Sequence, residues 1–198
     1  MEKHSDIEAA VRDWLEQIVV GMNVCPFASP VMRAGGLDLR MSSAHDLEGA
    51  YQDALRASVD LLAMAEDKPA TTLVAFPDAG MSFADFLDVV AALRGTLSES
   101  GADGILQVAT FHPDYVFDGE PEGDPSHWTN RAPCALVHLL RESDVLLAVE
   151  SHPNVEAIPA RNIEHFRALG TARLAKLWAN FGRRESGEGG VLPEDPAT

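Results

Sequence analysis

The chain has 198 residues, 46% of them hydrophobic, which is enough to bury a core without disulfide or structural-metal support. Lys and Arg total 15 against 31 Asp and Glu, a net charge of −16 that repels nucleic-acid phosphates and anionic headgroups and so argues against nucleic acid and membrane as partners. No apolar run approaches the ~20 residues that cross a bilayer, the first ten residues lack a secretory pattern, and the two cysteines, Cys25 and Cys134, fit thiols in a reducing cytoplasm.

Ser5 with Glu8 three residues on reads as a capping box, and Ile7, Val11, Trp14, Leu15 and Ile18 then recur at helical spacing up to Gly21. Asn23 to Pro30 holds two prolines and reads as a break, with Gly21 ending the helix in the usual C-terminal manner. Leu37 to Met41 is a short strand. Ser43 and Asp46 open a second helix, which Pro69 closes off. Thr71 to Phe76 is a second strand, Ser82 with Asp85 caps a third helix, and Ile105 to Phe111 is a third strand. Strands separated by helical crossovers predict an α/β fold: a small, mostly parallel sheet of three to four strands, with N-terminal and C-terminal helices added.

After His112 the pattern changes. Pro113 to Trp128 is a Pro-, Gly- and acid-rich loop, and Pro133 fits the first turn of a helix through about Glu142. Val145 to Val149 is the candidate fourth strand. From Glu156 a last helix carries a stripe of Ile163, Phe166, Leu169, Leu174, Leu177, Trp178 and Phe181. The expected organisation is one globular domain over 1–182 and a disordered acidic tail over 183–198.

Ligands of open parallel sheets bind beyond the carboxyl ends of the strands. That rule points to Phe76-Pro77-Asp78 and to Thr110-Phe111-His112-Pro113-Asp114-Tyr115. His112 is the first candidate acid, base or ligand; its alternative is a histidine that shapes the turn. Cys25, between Asn23-Val24 and Pro26-Phe27, is a candidate nucleophile or a buried structural thiol. It follows a helix C-terminus, whose negative end does not activate it. Asn130 and Arg131, before the Pro133 segment, offer a fork for a carboxylate or phosphate. His138 and Arg141 fall on one face of the expected helix, and Arg161, Asn162 and His165 on the last one, where a solvated polar face is the simpler reading. His112, Asp114, His127 and His138 are suitable metal ligands, but no spacing matches a known metal motif, and no Gly-rich phosphate loop or Gly-x-Ser-x-Gly is present.

Several segments together carry a family resemblance. They are Gly21-Met22-Asn23-Val24-Cys25-Pro26-Phe27-Ala28, Ala109 to Tyr115, Thr129-Asn130-Arg131-Ala132-Pro133, His138-Leu139-Leu140-Arg141-Glu142 and Arg161-Asn162-Ile163-Glu164. In order over roughly residues 5 to 180, the chain resembles a bacterial family known as a domain of unknown function, number 1415. The resemblance implies no activity. It does imply that Asn23, Cys25, His112, Tyr115, Asn130, Arg131, His138 and Arg141 belong to shared motifs, while Cys134 does not.

Three readings stay open from the sequence. The first is a small-molecule enzyme with Cys25 and His112 in catalysis, and Asn23, Tyr115, Asn130, Arg131, His138 and Arg141 holding an anionic metabolite at the carboxyl edge of the sheet. The second is a metal- or haem-binding protein using His112 and Cys25. The third is a regulatory domain without catalysis. No cofactor, metal or oligomeric state is specified.

Overall fold

A computed structural model describes residues 2–65, 71–152 and 154–181. Helix α1 (Glu2–Trp14) runs into a wider π turn, Leu15–Val20, followed by the short α2 (Ala28–Arg33). Strand β1 (Leu37–Met41), α3 (Leu47–Ala63), β2 (Thr71–Phe76), α4 (Phe83–Glu99) and β3 (Leu106–Phe111) come next, at or within a residue or two of their expected places. Two caps are those the sequence implied, whereas Ser5, expected to open the first helix, lies inside α1, which already runs from Glu2. Asp46 accepts from the Gly49 N–H at 2.8 Å, and Ser82 and Asp85 form a reciprocal capping box.

The second half departs from expectation. Ala135–Arg141 is a strand, β4, where a helix was expected, and the candidate fourth strand, Val145 to Val149, lies within a helix, α5 (Glu142–Glu150). The sheet order is β1-β2-β4-β3: β1 and β2 are parallel, and β4 runs antiparallel to both β2 and β3. The three crossover strands point the same way, as expected, but the sheet is mixed because β4 separates β2 from β3. Burial on both faces explains the misreading. Ala135, Val137 and Leu139 join one core and Leu136 the other, so the run has no polar alternation to mark it as a strand.

The last helix is two helices, α6 (Ile158–Leu169) and α7 (Thr171–Ala179), broken at Gly170, whose φ of 76° favours glycine. Gly21 does not end its helix in the left-handed way. Its φ is −63°, and glycine is needed because an added Cβ would lie 2.4 Å from the Gln17 carbonyl oxygen. The expected tail, 183–198, and Pro69 lie outside the described residues.

Two cores sandwich the sheet. On one face α3 and α4 pack through Ala50, Ala54, Ala57, Leu61, Phe86, Val90 and Leu93, with the alanine stripe bringing α3 close to the strands. On the other, α1, the π turn, α6 and α7 pack through Val11, Trp14, Ile18, Phe166 and Leu174 against Leu73, Ala75 and Leu136. Among the described residues no helix is long and apolar enough to cross a membrane.

Candidate functional site

A cavity of about 400 Å³ lies over the second face of the sheet, toward the first residues of β1 and β2. That size falls in the range of small-molecule sites, ~300–1,000 Å³. Its floor is Leu37, Thr71, Leu73, Phe111, His138 and Leu140. One wall is Trp14, Leu15 and Val19, carried by the end of α1 and the π turn; such turns recur at functional sites. A second wall is Cys25, Phe27 and residues of α2, and a third is α5 with Arg141 before it. Helix α5 buries no residue fully and leaves Leu147 66% exposed, so it forms a thin outer wall.

Few polar groups face this lining. The Thr71 hydroxyl lies 2.6 Å from Nε2 of His138 and 2.9 Å from the Leu139 carbonyl. Burial pushes the His138 imidazole down to about 4, so it is neutral at pH 7. Burial also raises the Cys25 thiol, against the opposing pull of the Phe27 and Ala28 backbone N–H groups, and so keeps it protonated. Arg141, 4% exposed, donates to the carbonyls of Leu61, Met64 and Ala65 and thereby caps the end of α3. Asp144 contributes a carboxylate nearby. The Trp14 indole N–H is buried without a hydrogen-bond partner.

The sequence candidates therefore divide. Cys25, His138 and Arg141 come together around the cavity. His112 does not join them. It follows Phe111, so its side chain points to the opposite face, where the ring stacks on Phe86 at 5.5 Å. Both its nitrogens are engaged: Nδ1 accepts from the Asp114 N–H at 3.1 Å, and Nε2–H donates to the Met81 carbonyl at 3.3 Å. Burial lowers its pKa, partly countered by the Met81 bond and the Asp114 charge. His112 thus shapes the turn, and Cys25 and His112 share neither a proton nor an ion.

Tyr115, Asn130 and Arg131 belong to the same loop and stabilise it from within. The Asn130 amide donates to the Thr110 carbonyl, and the Asn130 carbonyl accepts from the His112 N–H. Arg131 donates to the Tyr115 carbonyl at 3.3 Å and lies 4.7 Å over the Trp128 ring, while Tyr115 packs on Phe83. Buried His127 bonds Phe117 and Pro121 in the same way. Arg167 of α6 pairs with Asp124 and Glu120, which holds the Asp124 carboxyl well below its ordinary range and ties the acidic loop down.

Asn23 is exposed, with φ of 52°, and contributes its carbonyl. Arg161 donates to that carbonyl at 2.6 Å, and Asn162 donates to the Val24 carbonyl at 2.7 Å. The polar face of α6 is therefore a latch on the loop that carries Cys25. Asn162→Ala is expected to cost ~1 kcal/mol and to speed alkylation of Cys25 roughly fivefold. Mass spectrometry of iodoacetamide-treated protein would measure it, with buried Cys134, raised to about 12 by desolvation, as the silent control. Equal Cys25 rates in both proteins would remove the latch.

The family question is settled by a match that spans most of this architecture, residues 6–176, from α1 into α7. The chain belongs to the family described as protein of unknown function (DUF1415). No curated protein and no solved structure matches it. The DUF1415 segments that the sequence singled out thus have distinct placements. The Cys25 and His138 segments line the cavity, the Arg161 segment latches its wall, and the His112 and Asn130 segments close the long loop at the carboxyl end of β3. Sequence reasoning missed Trp14, Thr71 and Asp144. The crowded run Ile18-Val19-Val20 before Gly21 was the one signal of the π turn behind Trp14. Among the described residues no group of three His, Cys, Asp or Glu side chains is placed to hold a metal ion.

Proposed function

We propose that this chain binds a small, largely apolar molecule between the sheet, α2 and α5. The carrying observation is the cavity of about 400 Å³, lined almost wholly by hydrocarbon and floored by a neutral, half-buried His138. Sites of this kind hold the body of a ligand by desolvation and fix its orientation with a few polar groups. Cys25 as a protonated thiol and Arg141 as a helix cap favour binding over nucleophilic attack or capture of an anion. The reading of an anionic metabolite held by Asn130 and Arg131 is less well supported, because the bonds of those residues turn inward to their own loop.

The test is a fragment screen by protein NMR, using small aromatic and aliphatic alcohols, ethers and acids. Binders are expected to shift Trp14, Phe111 and Leu140 together, with Kd below about 1 mM, and Ala148→Trp, which fills the cavity, is expected to abolish the shifts. Shifts scattered over the surface, or unchanged in Ala148→Trp, would overturn the reading.

A further inference from the structure

The polar end of such a ligand can be specified from one hydrogen-bond chain. The Thr71 hydroxyl has a single proton. It lies 2.9 Å from the Leu139 carbonyl, which can only accept, and 2.6 Å from Nε2 of His138. If the hydroxyl donated to Nε2, its lone pairs would face those of the carbonyl. The satisfied arrangement is Thr71 O–H to Leu139 and His138 Nε2–H to Thr71. That fixes the tautomer and leaves the lone pair on Nδ1. Among the described residues Nδ1 meets no partner, and unlike the Trp14 indole nitrogen it is not sealed within protein.

The charges around it narrow the choice. The Arg141 guanidinium is turned to three carbonyls at the end of α3, on the face of the strand opposite His138. A group that suits this floor is uncharged and offers a proton.

We infer that the head group is a hydroxyl, that of an alcohol or phenol, donating to Nδ1 of His138 while its apolar body fills the cavity. This inference rests on the cavity reading above. A carboxylate has no proton to give, and an ether leaves Nδ1 unpaired once water is displaced, so both bind less well.

Calorimetric titration at pH 7 with 4-propylphenol, 4-propylanisole and 4-propylbenzoate tests it, because the three share a body and differ at the head. The phenol is expected to bind about tenfold tighter than the ether, and the benzoate most weakly. His138→Phe is expected to erase the phenol's advantage while the ether still binds. Thr71→Val, which frees the tautomer, is expected to reduce it, and long-range ¹⁵N spectra of wild type are expected to show His138 protonated at Nε2. Equal binding of phenol and ether, tightest binding of the benzoate, or a phenol preference that survives His138→Phe would overturn the hydroxyl inference and leave the cavity reading standing. Failure of all three probes to bind would instead overturn the cavity reading.

Discussion

Trp14→Ala is expected to destabilise the fold by ~3–5 kcal/mol, a large share of the ~5–15 kcal/mol that holds a typical domain together. Trp14 is 2% exposed, meets Phe111 edge-on with ring centroids 5.1 Å apart, and sits in the core shared by α1, the π turn, α6 and α7. Truncation removes this contact, and the void left behind merges with the neighbouring cavity instead of collapsing. Trp14→Phe separates the two roles of the side chain. It keeps an aromatic ring and deletes the indole N–H, which has no partner and costs ~1–3 kcal/mol to bury. The loss of packed area and the relief of that N–H oppose each other, so Trp14→Phe is expected to stay within ~1.5 kcal/mol of wild type. Urea unfolding of the three proteins measures both differences. An alanine variant less than 1 kcal/mol below wild type, or a phenylalanine variant as unstable as the alanine one, would show that Trp14 does not hold this wall.

Local signals made the first half of the chain legible. The capping residues Asp46 and Ser82, the β-rich run Thr71–Phe76 and the turn prolines each act within a few residues, and each element formed where it was expected. The order of strands is decided by long-range pairing, which no local signal records. Leu136 pairs with both Ala75 and Phe111, and nothing within Ala135–Arg141 announces two neighbours. A strand buried on both faces and a buried helix share the same composition, so Pro133 tipped the reading the wrong way.

That one error propagated into the site. With Ala135–Arg141 taken as a helix, His138 and Arg141 fall on one face. In the strand they point to opposite faces, His138 toward the cavity floor and Arg141 toward the end of α3. The rule of strand carboxyl ends drew attention to His112, at an end that the Asn130 loop folds over and closes. Cys25 drew attention by its place after a helix end beside a proline, but what holds its loop, Arg161 and Asn162, lies 138 residues away in sequence.

Acid is expected to weaken this protein through His138 before its carboxylates titrate. The unfolded chain takes a proton on this residue near 6.5, whereas burial holds the folded value at about 4. Between those two pH values the unfolded state binds the proton and the folded state refuses it, so stability falls as pH falls, by ~3 kcal/mol in all. Below about 4 both states are protonated and this source adds nothing further. His112, also lowered by burial, acts with the same sign. The shift comes from desolvation: Arg141 turns its guanidinium to the other face of the strand, and the protonated Cys25 thiol on the cavity wall is neutral. Protonation also relieves the self-repulsion of a chain at −16, which stabilises the fold on acidification and would mask the effect in wild type alone. The informative quantity is therefore a difference. Urea midpoints of wild type and His138→Phe, measured in steps from pH 7.5 down to 5, are expected to converge as wild type loses what the variant never had. That window lies above the usual range of Asp and Glu, so the histidines dominate it. Two profiles that run parallel across it would mean that His138 takes up its proton as readily in the folded protein as in the unfolded chain, and the neutral acceptor on the cavity floor would be lost with it.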